Sequence, residues 1–197
     1  MSARELLAVA DWEWAGMILL GYFGGLRIGD AARLTWAAVD MERHTIRLIP
    51  QKTARKRREL EVPVTPDLER WLLKWPGKSE RPEAPLFPTL CTMKPGGCNG
   101  LSARFRKLMK TAGIDGALDA APVSGKGRPF HAKTFHSLRH GFVSALTNAG
   151  VPRDLRMKLA GHTSNAHDRY THHELATLRG AMEALPSLLA GNTDRAK

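Results

Sequence analysis

Apolar positions along this chain fall into segments of two periods, punctuated by glycine and proline. Leu6, Leu7 and Ala10 recur at helical spacing. Trp14, Met17, Ile18 and Leu20 extend a second apolar helix, which Gly24-Gly25 breaks. Ile28 to Trp36 reads as another short helix. Thr45 to Ile49 alternates as a half-buried strand does, and Leu60 to Val64 alternates again, with Pro63 marking a sheet edge. Between them, Gln51 to Arg58 forms a basic hairpin tip. Thr65-Pro66 opens a helix, Thr as cap and Pro at the first helical position, that stops before Pro76-Gly77. Residues 76–100 hold five prolines and four glycines and read as loop. Ser102 to Thr111 is a helix closed by Gly113, and 113–133 is again loop. Thr134 caps a helix running to Gly150, and Val151-Pro152 starts the next, ended by Gly161. Helical pieces near Ala166 to Thr171 and Glu174 to Leu185 precede a tail that begins at Pro186. The fold class is α+β, mainly helical with one small antiparallel β-sheet in one compact domain.

Length and charge narrow the function. A chain of 197 residues buries a real core without disulfides or metal. Lys and Arg total 30 against 19 Asp and Glu, a formal net charge of +11, which favours a polyanion, most commonly nucleic acid. The apolar run Ala15 to Phe23 is too short to span a bilayer, and no charged leader with a cleavage site precedes it, so a cytoplasmic protein is expected. Cys91 and Cys98 make neither a disulfide framework nor a complete zinc site.

Three segments carry candidate chemistry. Gly24-Gly25-Leu26-Arg27 places an arginine in a glycine-rich turn opening a helix, with Asp30 close behind. Glycine lets backbone approach a ligand, and the planar guanidinium fork suits a phosphate. His136, Arg139 and His140 lie on one predicted helix, at spacings that put His136 on a face with each of the others. Gly161-His162 ends a helix shortly before Tyr170-Thr171-His172. Of the two tyrosines, Tyr22 sits in an apolar run and Tyr170 in a polar, histidine-rich one. Arg55, Lys56, Arg57 and Arg58, with Lys126, Arg128 and Lys133 in the later loop, read as phosphate-contacting positions.

In this order the segments resemble the catalytic domain of the tyrosine recombinase, or phage integrase, family: Gly25-Leu26-Arg27 with Asp30, Lys52 in a hairpin, His136-Ser137-Leu138-Arg139-His140, Gly161-His162, then Tyr170-Thr171-His172. Leu34-Thr35-Trp36 and Val39-Asp40 are also similar to the family. The resemblance implies DNA cleavage and rejoining at double-stranded attachment sites of a mobile element through a covalent 3′-phosphotyrosine. Tyr170 is then the nucleophile, and Arg27 and Arg139 hold the non-bridging oxygens. Lys52 protonates the leaving 5′ oxygen, and His136 and His162 hydrogen-bond the phosphate. Asp30 and His140 support those side chains. No cofactor, metal or ATP is implied. Other protomers join on DNA, and the resemblance implies a C-terminal segment that docks on a neighbour, for which Leu188 and Leu189 are candidates. The catalytic domain is expected over 1–185, the tail over 186–197, and no core-binding domain is expected before Ser2. His162 and Tyr170 stand eight apart, one fewer than is usual in the family.

Two other classes remain open on the residues. His136 and His140 have the His-x-x-x-His spacing of a zinc hydrolase, although Ser137 stands where that motif has glutamate. A DNA-binding domain of the same fold with impaired catalysis is the second. A type IB topoisomerase shares the chemistry, but the Gly161-His162 and Tyr170-Thr171-His172 pattern is closer to integrases.

Overall fold

The computed structural model describes residues 2–56, 59–114, 118–120, 130–131, 133–161 and 175–189. The helices are α1 (Ala3–Val9), α2 (Trp12–Phe23), α3 (Ile28–Ala32), α4 (Pro66–Lys74), α5 (Leu101–Thr111), α6 (His136–Asn148), α7 (Arg153–Leu159) and α8 (Leu175–Glu183). The strands β1 (Val39–Asp40), β2 (Thr45–Leu48) and β3 (Leu60–Pro63) form one antiparallel sheet in the order β1-β2-β3. Pro63 faces Thr45 on the β3 edge strand, where a missing ladder donor is tolerated.

The centre of the molecule is α2. Met17, Ile18, Leu19, Leu20 and Phe23 are buried on it, and it packs against α1, α4 and α6. Burying each such side chain contributes about 1.5–3 kcal/mol. At Gly21 a Cβ would stand 2.9 Å from both Leu138 and Phe135, so its hydrogen lets α6 lie directly on α2. Asp11 starts α2 by accepting the Trp14 N–H at 2.8 Å.

Several expected elements differ. The helix expected from Ile28 to Trp36 ends at Ala32. The chain beyond it pairs with the proline-rich loop instead: Trp36 N–H donates to Ala84 O, Ala37 N–H to Pro82 O, and Leu86 N–H to Leu34 O. That loop is irregular as expected, yet Leu86, Phe87 and Leu90 are buried in the core. The hairpin tip is a 3-10 turn over Gln51–Lys56. Within residues 113–133, expected as loop, β4 (Leu118–Ala120) and β5 (Phe130–His131) pair antiparallel. Thr65 occupies the cap position of α4, but its hydroxyl is buried without a hydrogen bond. Thr134 does not cap α6: the cap position is Phe135, which makes no side-chain cap bond, and Ser137 in the first turn accepts the Thr134 N–H on its Oγ at 3.0 Å. The expected helix at 166–171 lies outside the described residues.

The tail after Pro186 folds back on its own chain. Asp67, buried in the first turn of α4, accepts the Ser187 hydroxyl at 2.9 Å and the N–H groups of Leu188 and Leu189 at 2.6 and 3.2 Å. Leu188 packs against the core of its own chain in this single protomer. The main-chain groups of 187–189 have a buried carboxylate to satisfy, which the leucine pattern does not reveal.

Candidate active site

Arg27 owes its position to the turn before it. Gly24 N–H donates to Leu20 O and ends α2, and Gly25 takes φ +58°. A Cβ on Gly25 would lie 2.7 Å from the Phe142 ring of α6, so both backbone angle and packing require glycine. Arg27 follows with extended backbone at the head of α3, its side chain 27% exposed. Its guanidinium is 3.7 Å from Asp30 Oδ2. Asp30, buried, accepts the Gln51 N–H on its other oxygen at 3.0 Å. One carboxylate thus links Arg27 to the backbone immediately before Lys52, which is exposed on the 3-10 turn.

Arg139 is anchored more deeply. It is 3% exposed on α6. Its guanidinium donates to Gly25 O at 2.5 Å and to Ala160 O. Gly25 leads into Arg27, and Ala160 ends α7 just before Gly161-His162. A single guanidinium therefore fastens together the Arg27 turn, α6 and the end of α7. Burial, and after it the positive charge of Arg27, lower the Arg139 pKa to about 10 against the opposing effect of Asp30. Arg139 still carries its proton at neutral pH. Two guanidiniums repelling one another beside a single carboxylate form a site that an anion would relieve.

The spacing expectation for α6 needs correction. His136 and Arg139 were expected on one face, but Arg139 lies buried with Leu138, Phe142 and Leu146, while His136 and His140 are exposed. His140 packs edge to face on His136, ring centroids 4.7 Å apart. Lys133 is half-buried before α6, and Arg55 is exposed on the 3-10 turn that Lys56 closes. Arg57, Arg58, Lys126, Arg128, His162 and Tyr170 lie outside the described residues.

One cationic surface escaped the sequence reading. Helix α5 buries Leu101, Phe105 and Met109 and exposes Arg104, Arg106, Lys107 and Lys110, with no acidic residue in the helix. The apolar spacing at 101, 105 and 109 was the available signal, since it sends every cation to the opposite face.

Among the described residues no helix is long and apolar enough to cross a membrane. No curated protein matches the chain. Solved structures do. The integrase of mycobacterium phage Brujita aligns with a TM-score of 0.63 at 21% identity, covering 93% of this chain and 55% of its own. XerA recombinase gives a TM-score of 0.56 at 19% identity, over 95% of this chain and 65% of its own. The Tn1549 transposon integrase, in complex with a circular intermediate DNA, gives 0.53 at 18% identity, over 93% and 63%. The chain thus spans between 55% and 65% of the length of these structures, which share its mainly helical fold with a small antiparallel sheet. The profile of the phage integrase family matches residues 3–176, which takes in Arg27, Lys52, Arg139 and the segment leading to Tyr170. With nearly the whole chain matched in sequence and in fold, the protein belongs to the phage integrase family.

Proposed function

We propose that this chain is the catalytic domain, over residues 1–185, of a site-specific recombinase that breaks and rejoins double-stranded DNA through a 3′-phosphotyrosine. The observation that carries this reading is the anchored pair Arg27 and Arg139, two repelling guanidiniums held by Asp30 and by the Gly25 and Ala160 carbonyls. A scissile phosphate between them neutralises that repulsion and gains charge stabilisation as its geometry becomes pentavalent. The Tyr170 oxygen attacks phosphorus as its proton passes to one of the two histidines at the phosphate, His136 or His162. The 5′ oxygen leaves as the P–O bond breaks, and Lys52 supplies its proton. His136 and His162 hydrogen-bond the non-bridging oxygens. Rejoining reverses the step, with a 5′ hydroxyl attacking and Tyr170 leaving, so bond energy is conserved and no nucleotide cofactor is consumed. Arginines provide the charge that a metal ion provides elsewhere.

Two relatives support the substrate class by what they bind: the Tn1549 integrase holds a circular intermediate DNA, and XerH recombinase a palindromic difH substrate in a post-cleavage complex. The net charge of +11 and the exposed cations at Arg55 and along α5 suit the same partner. Arg57, Arg58, Lys126, Arg128 and Lys133 extend this DNA-contacting set, and His140 with Asp30 supports the phosphate-binding groups. The protein acts in the cytoplasm of a prokaryotic cell, with further protomers assembling on the DNA.

The test uses nicked suicide duplexes with a randomised core. The expected result is a protein–DNA adduct on a denaturing gel, insensitive to EDTA and absent from Tyr170→Phe. Adduct formation by Tyr170→Phe, or a requirement for Mg²⁺ or Zn²⁺, would overturn the reading.

A further inference from the structure

The exposed imidazole pair on α6 is not exhausted by the phosphate chemistry. His136 and His140 are one turn apart, and their ring centroids are 4.7 Å apart with planes at 89°. Two imidazoles that ligate one ion at about 2.0–2.1 Å, with an angle near 90–110°, place their centroids roughly 4.5–5.2 Å apart. The observed separation falls inside that window. The helix holds the two rings one turn apart and edge to face, so chelation requires both to turn until one nitrogen of each faces a common ion. Among the described residues no third histidine, cysteine or carboxylate joins them. Imidazole nitrogen favours borderline ions such as Zn²⁺, Ni²⁺ and Cu²⁺ over Mg²⁺ or Ca²⁺, which prefer oxygen.

We propose that His136 and His140 form a two-histidine chelate for a divalent transition-metal ion, and that occupancy inhibits the enzyme by withdrawing the His136 imidazole from the scissile phosphate. The chelate stands on the geometry of α6 alone. The inhibitory half rests on the recombinase reading above. It differs from the zinc-hydrolase alternative in sign: the hydrolase needs the ion, whereas this site is switched off by it. A similar contact is not available to His44, which pairs with Glu69 at 3.2 Å on another part of the surface.

Isothermal titration of Zn²⁺ into the DNA-free protein tests the chelate. Wild type should show a binding event that His136→Ala and His140→Ala each weaken by about tenfold or more, because a second ligand on the same rigid element acts at high effective concentration. The double variant should lose little beyond either single one, the non-additivity that marks a shared ion. His140→Asn, a polar replacement at an exposed position, checks that the loss is not unfolding, as does the circular dichroism melt of each variant. Zn²⁺ affinity unchanged in the single variants, or losses that simply add, would overturn the chelate. For the regulatory half, wild-type adduct formation should fall with added Zn²⁺, recover with EDTA, and ignore Mg²⁺. Zn²⁺ that binds the pair without slowing the adduct overturns inhibition. Metal-free wild type that forms no adduct overturns the recombinase reading, with the titration still deciding the chelate.

Discussion

Arg139 and the His136–His140 pair sit on the same short helix and are built in opposite ways. Arg139 faces inward, its guanidinium spent on two main-chain carbonyls from two different segments. The histidines face outward and lean on one another. The difference matches the work assigned to each. A group that stabilises developing charge acts best when its orientation is settled before the reaction, because reorganisation then costs nothing at the transition state. A group that exchanges protons or hydrogen bonds with substrate needs access instead. Arg27 lies between these extremes, 27% exposed and tethered through Asp30.

The sharpest way to break this comparison is to remove each arginine. Arg27→Ala and Arg139→Ala should each slow adduct formation by at least ~10²-fold, as loss of one oxyanion donor does elsewhere. Only Arg139→Ala should also destabilise the fold, by about 1–3 kcal/mol for each carbonyl left unsatisfied. Arg27→Ala should stay within about 1 kcal/mol of wild type, since its ion pair is partly solvated. Denaturant melts and single-turnover adduct rates separate the two outcomes. Equal destabilisation would mean that Arg139 is no more an anchor than Arg27.

Lys52 gives the next effect. Lys52→Ala should lose about 10²–10⁴-fold in rate on ordinary DNA, the usual range for a general acid. Sulfur in place of the bridging 5′ oxygen leaves without a proton, so that substrate should restore most of the rate. Lack of rescue would remove Lys52 from proton transfer and return it to phosphate binding.

A smaller effect concerns Asp67. Asp67→Ala removes the acceptor for Ser187, Leu188 and Leu189. Stability should fall by about 2 kcal/mol, as for hydrogen bonds to a charged group, and proteases should cut beyond Pro186 more readily. Proteolysis unchanged from wild type would show that the tail is held by its leucines alone.

The smallest expected effect comes from free anions. The Arg139 pKa in the folded chain is about 10, below its ordinary value. The unfolded chain therefore binds this proton more tightly, and the group opposes folding at every pH below about 10. That cost is relieved as pH rises from 10 towards the ordinary arginine value. At neutral pH a bound phosphate offsets it instead. Inorganic phosphate at constant ionic strength should raise Tm by a few degrees in wild type and by less in Arg27→Ala. An equal rise in both would place the anion elsewhere.

Much of this arrangement was legible before the fold was known, for identifiable reasons. Helices α2, α4, α5 and α6 show apolar periodicity bounded by glycine or proline, and those signals are local. The order of Arg27, Lys52, His136, Arg139, His162 and Tyr170 carried the family resemblance. What escaped was non-local. The end of α3 depends on Leu34 to Ala37 pairing with Pro82 to Leu86, far along the chain. The inward turn of Arg139 depends on carbonyls at Gly25 and Ala160, which no spacing rule on α6 anticipates. The cis docking of Leu188 depends on a buried Asp67 on the opposite side of the sequence.

The central claim is that one phosphate, held by Arg27 and Arg139, is attacked by one tyrosine. Its most direct test is mass spectrometry of the protease-digested adduct from a nicked duplex. The account predicts a single DNA-linked peptide with phosphate on the Tyr170 oxygen. Phosphate found on Tyr22, on a histidine, or on no residue of the chain would contradict it.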